Sequence, residues 1–244
     1  RAHIADPHIV NRIAAKQEER IRPCVGATYC SWQRRCIHNP SIGREAELPH
    51  EVEPALRKRK VVVVGAGPAG LEAARVAALR GHEVTLFEAA PRAGGQVLLA
   101  TTVPSRRELI GIVDWRVAEI ERMGVRVRYN SYAGAAEVAE ENPDVVLVAT
   151  GGLPDRDERV PGAEHRLSVW EALEDPSALQ GDVLVYDGTG QIHAPTLAEV
   201  LAPRVASLTF VTCDMQPLQE ISYLDRPFIL MAGERRSYNA NRPA

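Results

Sequence analysis

The residues best placed to do chemistry are three glycines and one acid. Gly65, Gly67 and Gly70 stand in G-x-G-x-x-G spacing, with Pro68 and Ala69 between the last two. Gly65 permits a tight turn, Gly67 lets backbone approach a pyrophosphate, and Gly70 lets a helix pack closely on a strand. A diphosphate would rest on free N–H groups at the helix N-terminus, where the helix dipole favours negative charge. Glu88 lies 18 residues past Gly70. A carboxylate there accepts hydrogen bonds from both ribose hydroxyls and repels a 2′-phosphate. NADP is therefore disfavoured, which leaves NAD or the ADP half of FAD.

Two further segments bear on that choice. "EAAPRAGGQ" runs from Glu88 through Arg92 to Gly95 and Gln96. "DVVLVATGGLP" ends a predicted strand in Ala149, Thr150 and Gly151, and the glycine pair lets backbone pass close to a cofactor. A second strand-Gly-helix unit begins at Val183, with Gly188-x-Gly190-x-x-x-Ala194 lacking the third glycine. Asp214 follows its second predicted strand and stands where a ribose contact would be. Two readings of this unit stay open: an NAD(H) site, or a Rossmann-like half that packs and binds nothing. The arrangement as a whole is similar to the two-dinucleotide-binding flavoproteins. In those proteins the first cradle holds FAD and an NAD(P)H domain follows the A-T-G strand. The resemblance favours FAD, with ADP as the alternative, and implies Arg92, Gly95, Gln96, Ala149, Thr150 and Gly151 as further cofactor contacts.

Cys24, Cys30 and Cys36 recur at intervals of six, and Cys213 lies in the second unit. A structural zinc site wants C-x-x-C pairs, which are absent. An iron–sulfur cluster usually wants four thiolates, and this loop offers three. A disulfide framework is not expected in this composition. His38, next but one to Cys36, is either a fourth ligand or an exposed loop histidine. No side chain stands out as a catalytic acid, base or nucleophile.

These groups need a scaffold, and the pattern supplies one. Residues 61–64 are a continuous apolar strand, as expected when both sheet faces are covered. Leu71, Ala74, Ala77 and Ala78 with a Gly81 stop predict a helix. Strands are predicted at 83–87, 125–129, 144–149, 182–186 and 207–212, and helices at 107–123 and 197–201. Alternation of this kind predicts an α/β, doubly wound parallel sheet of Rossmann type. Residues 1–50 precede it, 51–180 form the FAD- or ADP-binding domain, and 181–244 form a partial NAD(P)-binding domain. Residues 21–50 carry Cys, Pro and Gly and read as loop. "RKRK" at 57–60 reads as a solvated lead-in to the first strand.

Composition narrows the function. The 244 residues are 45% hydrophobic and 25% charged, with a net charge of −3. That is ordinary for a globular protein and gives no polyanion-binding field, so no nucleic-acid partner is expected. No apolar run reaches the ~18 residues of a membrane span. The first residues, "RAHIADPHIV", lack a signal-peptide apolar region. A cytoplasmic location with reduced thiols is the expectation.

Taken together, the segments resemble one family. "RAHIADP", "CVGATYC…CIHNPSIGRE", "VVVVGAGPAGLEAARVAALRGHEVTLFEAAPRAGGQ" and "YDGTGQ" through "ISYLDRP" are similar to the trimethylamine dehydrogenase and 2,4-dienoyl-CoA reductase family. These are iron–sulfur flavoproteins with a barrel related to old yellow enzyme, and the likeness leans toward N-methylproline demethylases. The resemblance implies that residues 1–50 are the end of the flavin barrel and its cysteine-rich cluster loop, with FAD or ADP in the first cradle, thiolate ligation of a [4Fe–4S] cluster by Cys24, Cys30 and Cys36, and Arg1 near an FMN phosphate. It also marks departures. Ala27 stands where the family has a cysteine, and only five residues separate Cys30 from Cys36. Set against the family, the chain is expected to be a fragment that lacks the FMN barrel and the segment that closes the FAD domain. The expectation is an electron-transfer module of a flavin oxidoreductase, with a barrel on a parent chain or a partner. The alternative is a non-catalytic nucleotide-binding module.

Overall fold

The computed structural model describes residues 2–154, 162, 165–215, 218–221 and 239–240. The chain divides into two compact units, residues 1–101 with 107–152 and residues 102–106 with 153–244.

The first unit opens with short helices α1 (Ala2–Ala5), α2 (Ile9–Ala14) and α3 (Tyr29–Trp32). Its body is β1 (Lys60–Val64), α4 (Pro68–Leu79), β2 (Glu83–Phe87), α5 (Gln96–Ala100), α6 (Gly111–Arg122), β3 (Arg126–Arg128), α7 (Ala135–Glu140) and β4 (Val145–Val148). The sheet order is β3-β2-β1-β4, and every pairing is parallel. The predicted α/β alternation is therefore present. The helix expected at 107–123 is a 3₁₀ turn over Pro104–Ile110 followed by α6.

Pro68 occupies the first turn of α4, where its missing N–H costs nothing. Val61, Val63, Leu71, Ala74, Ala77, Val84, Leu86 and Ile120 form the core between sheet and helices. The small residues on α4 let it sit close to β1. Residues 57–60 are exposed, as a solvated lead-in should be. β4 lies at the sheet edge, with Val146 43% and Val148 75% exposed.

The second unit contains α8 (Val169–Glu174), β5 (Asp182–Asp187), α9 (His193–Leu201), β6 (Ser207–Thr212) and β7 (Asn239–Ala240). Its strands run parallel in the order β5-β6-β7. Leu173, Val185, Leu197, Leu201 and Phe210 fill its core. α8 begins with a capping box in which Ser168 and Glu171 satisfy each other's backbone amides. Among the described residues no helix is long and apolar enough to cross a membrane.

The segment read as loop, residues 21–50, is more firmly packed than its composition suggests. His38 and Asn39 are fully buried rather than exposed. The physical reason is a long-range polar network. His38 Nδ1 meets the Pro23 carbonyl at 2.9 Å, and its ring meets Trp115 edge-on at 5.5 Å. Arg116 donates to the His38 carbonyl at 3.0 Å and to Glu72 at 2.8 Å. Arg22 lies 4.3 Å over the Trp115 ring, whose indole N–H donates to the Arg20 carbonyl.

Candidate functional site

Three segments converge at the C-terminal end of β1. Gly65 turns the chain with φ +99°, and a Cβ there would meet the Ala149 carbonyl oxygen at 2.5 Å. Ala149 in turn donates its N–H to Val64 at 2.8 Å, which draws the end of β4 against the turn. Gly70 is buried, and a Cβ on it would overlap the Gly65 carbonyl oxygen and come within 3.4 Å of Ala149 Cβ. Only glycine fits at either position. Gly67 differs: a Cβ on it would meet nothing within 4 Å. The turn is tight below and open above, where a diphosphate would approach the N-terminus of α4.

The second segment folds over from β2. Gly94 donates its N–H to the Ala66 carbonyl at 2.9 Å. Gly95 has φ +52°, and its Cβ position lies 3.3 Å from Gly67 Cα. Gln96 Nε2 donates to the Gly152 carbonyl at 3.1 Å. That bond ties the second segment to the third, which is Ala149, Thr150 and Gly151, with Gly151 at φ +79°. Of the residues expected here, Gly65, Gly67, Pro68, Ala69, Gly70, Gly95, Gln96, Ala149, Thr150 and Gly151 are thus gathered around one loop. Arg92 is exposed and lines a cavity of about 330 Å³ that includes no residue of the loop. Arg1 lies outside the described residues.

Glu88 is half-buried at the end of β2. Its Oε2 accepts the Ala66 N–H at 2.7 Å, and its Oε1 accepts the Ala90 N–H at 2.8 Å. Each oxygen keeps a lone pair, so the carboxylate is aimed at the loop and still able to accept hydroxyl donors. The chain beyond β3 holds it there: Glu88 donates its N–H to Arg128, and Ser131 donates to the Glu88 carbonyl, both at 2.9 Å. This buttress was missed in the sequence. Its one signal is Asn130, which takes the left-handed conformation at φ +52°.

The three cysteines are not brought together. Cys24 is exposed, Cys30 and Cys36 are half-buried, and all are free thiols, as is Cys213. Among the described residues no three or more His, Cys, Asp or Glu side chains stand close enough to share a metal ion. The cluster implied by the resemblance wants four convergent thiolates. With Ala27 in one place and His38 drawn into the Trp115 network, the residues present do not fit it.

The electrostatics of that network are strongly coupled. Burial pushes His38 down to about 3, with the Arg116 charge adding to the effect. Its Nε2 has no hydrogen-bond partner. Burial alone would raise Glu72, but its hydrogen bond to Arg75 and the charges of Arg75, Arg116 and Arg22 bring it down to about 2. These groups lock residues 20–39 onto α4 and α6.

In the second unit, Gly188 and Gly190 lie beyond β5, and Ala194 is buried in the first turn of α9. Asp187, 2% exposed, places Oδ1 on the Thr189 and Gly190 N–H groups at 3.0 Å each.

The family model for pyridine nucleotide-disulphide oxidoreductases matches residues 59–184. A multifunctional alkene reductase/demethylase from Caballeronia cordobensis is 50% identical over 90% of this chain and 33% of its own. A probable N-methylproline demethylase from Rhizobium meliloti is 47% identical over 91% of this chain and 34% of its own. The structure of 6-hydroxypseudooxynicotine amine oxidase from Pseudomonas geniculata N1 superposes with a TM-score of 0.92 at 30% identity, covering 99% of this chain and 39% of that one. The chain spans about a third of the length of the curated relatives it matches.

Proposed function

The chain belongs to the pyridine nucleotide-disulphide oxidoreductase family, and from that premise we propose that its first unit is the FAD-binding module of a longer flavin oxidoreductase. The observation that carries this reading is the open face of Gly67 beside a carboxylate fixed by the Ala66 and Ala90 amides. The loop amides and the N-terminus of α4 hold the diphosphate. Glu88 accepts from the adenosine ribose and, by its charge, keeps a 2′-phosphate out. The second segment, from Gly94 to Gln96, and the end of β4 close the sides. Bound FAD supplies two-electron chemistry that can be passed on one electron at a time. The protein's part is to bind, orient and shield it.

The relatives' names support an amine demethylase or dehydrogenase, or an alkene reductase, as the activity of the whole protein. On this reading FMN and the substrate pocket belong to a barrel on the parent chain or a partner. Among the described residues the thiols do not converge on a shared cluster site, so the reading rests on the flavin alone.

The test is the visible spectrum of the purified chain, followed by chromatography of the nucleotide released on denaturation. Flavin absorbance and released FAD are the expected result. A colourless protein that releases ADP would leave the cradle assignment standing and replace FAD. A protein that neither carries nor takes up an adenine nucleotide would overturn the reading.

A further inference from the structure

The fold family implies a pyridine nucleotide on the second glycine loop, but the residues there do not fit one. We propose that this loop is closed to a dinucleotide's diphosphate by two of the chain's own carboxylates, Asp187 filling its amides and Asp214 covering its glycine.

Three observations in the second unit carry this. The first concerns donors. A diphosphate needs backbone N–H groups that are free. The N–H groups of Thr189 and Gly190 are both taken by Asp187 Oδ1, which also accepts the Thr189 hydroxyl at 3.2 Å. In the first loop the acid takes only the Ala66 N–H and leaves Gly67 alone.

The second concerns space. Gly67 opens onto nothing within 4 Å. Gly190, its counterpart, is covered: a Cβ there would overlap the Asp214 carboxylate, with the carboxyl carbon at 3.2 Å and Glu220 Cγ at 3.3 Å. A Cβ on Gly188 would meet the Tyr186 ring at 3.1 Å. A diphosphate cannot lie on backbone that its own side chains already touch.

The third concerns charge. Asp187, Asp214 and Glu220 meet at this loop. The buried Oδ2 atoms of Asp187 and Asp214 have no hydrogen-bond partner. They are acceptors, as phosphate oxygens are, so the two would face each other with no donor between them.

The glycine spacing thus survives as a turn, not as a cradle. Asp214, which sequence reasoning places against a ribose, acts here as the closing residue.

The experiment titrates the full chain with NADH and with NADPH, following nucleotide fluorescence. Wild type is expected to show no saturable binding in the micromolar range, and Asp214→Gly with Asp187→Ser to bind NADH at least tenfold more tightly. Asp214→Asn, which keeps the volume and removes the charge, separates repulsion from blockage and is expected to gain less than the double variant. Circular dichroism confirms that the variants fold. Saturable micromolar binding of either nucleotide by wild type, weakened by Asp214→Gly, would overturn the proposal and make Asp214 a ribose ligand. Folded variants that gain nothing would overturn the role given to the two acids. Flavin content of the same samples reports separately on the first unit.

Discussion

Gly67→Ala separates the cofactor from the fold more cleanly than any other substitution. Gly67 has φ −70° and ψ 177°, a conformation open to every L-residue, and its Cβ would touch nothing within 4 Å. The folded protein therefore loses no contact. Replacing glycine at an unstrained position restricts the unfolded chain, which stabilises by about 0.4–1 kcal/mol. The new methyl group instead enters the space through which the diphosphate approaches the backbone. Losing one hydrogen bond to a charged group costs about 1.5–3 kcal/mol, or roughly 10- to 150-fold in affinity. Gly70→Ala is the contrast, because its Cβ would overlap the Gly65 carbonyl oxygen and the helix would have to move away from β1. Overpacking of that kind typically costs about 1–3 kcal/mol. Urea unfolding of the cofactor-free chain and flavin fluorescence titration measure the two effects independently. Gly67→Ala should unfold no more easily than wild type and bind FAD at least tenfold more weakly. Undiminished FAD affinity in that variant would refute the assignment of the diphosphate to this face.

Glu88→Arg should abolish retention of FAD or ADP, read as nucleotide released on denaturation, because the ribose acceptor and the bond from Ala66 are lost together. Glu72→Gln leaves Arg75 and Arg116, only 7% and 4% exposed, without their counter-charge. Breaking a buried pair on one side costs about 3–5 kcal/mol, which a denaturant midpoint would register. His38 sets an acid limit. Its folded pKa is about 3 against 6.5 unfolded, so between those values the unfolded chain binds a proton that the native chain refuses. Stability from this residue should fall as pH drops through that window, by up to about 1.4 kcal/mol per pH unit. His38→Gln should flatten that part of a stability–pH profile.

The order of strands and helices was legible in the sequence because it rests on local rules. Apolar runs such as residues 61–64, the helical spacing from Leu71 to Ala78, and glycines at positive φ are set by neighbours a few residues away. For the same reason the tight turn after β1, and the position of Glu88 at the end of β2, could be expected from Gly65, Gly70 and Glu88 before any coordinates. Tertiary structure decided what those rules do not reach. His38 reads as an exposed loop residue until Arg116, 78 positions away, donates to its carbonyl and Trp115 covers its ring. Cys24, Cys30 and Cys36 are evenly spaced along the chain, yet spacing does not make thiols converge in space. The two glycine loops look alike on paper. Whether a loop is open or closed depends on which side chain of the next strand lies across it, and that is a matter of packing: Glu88 stops at the Ala66 amide, while Asp214 comes to rest on Gly190.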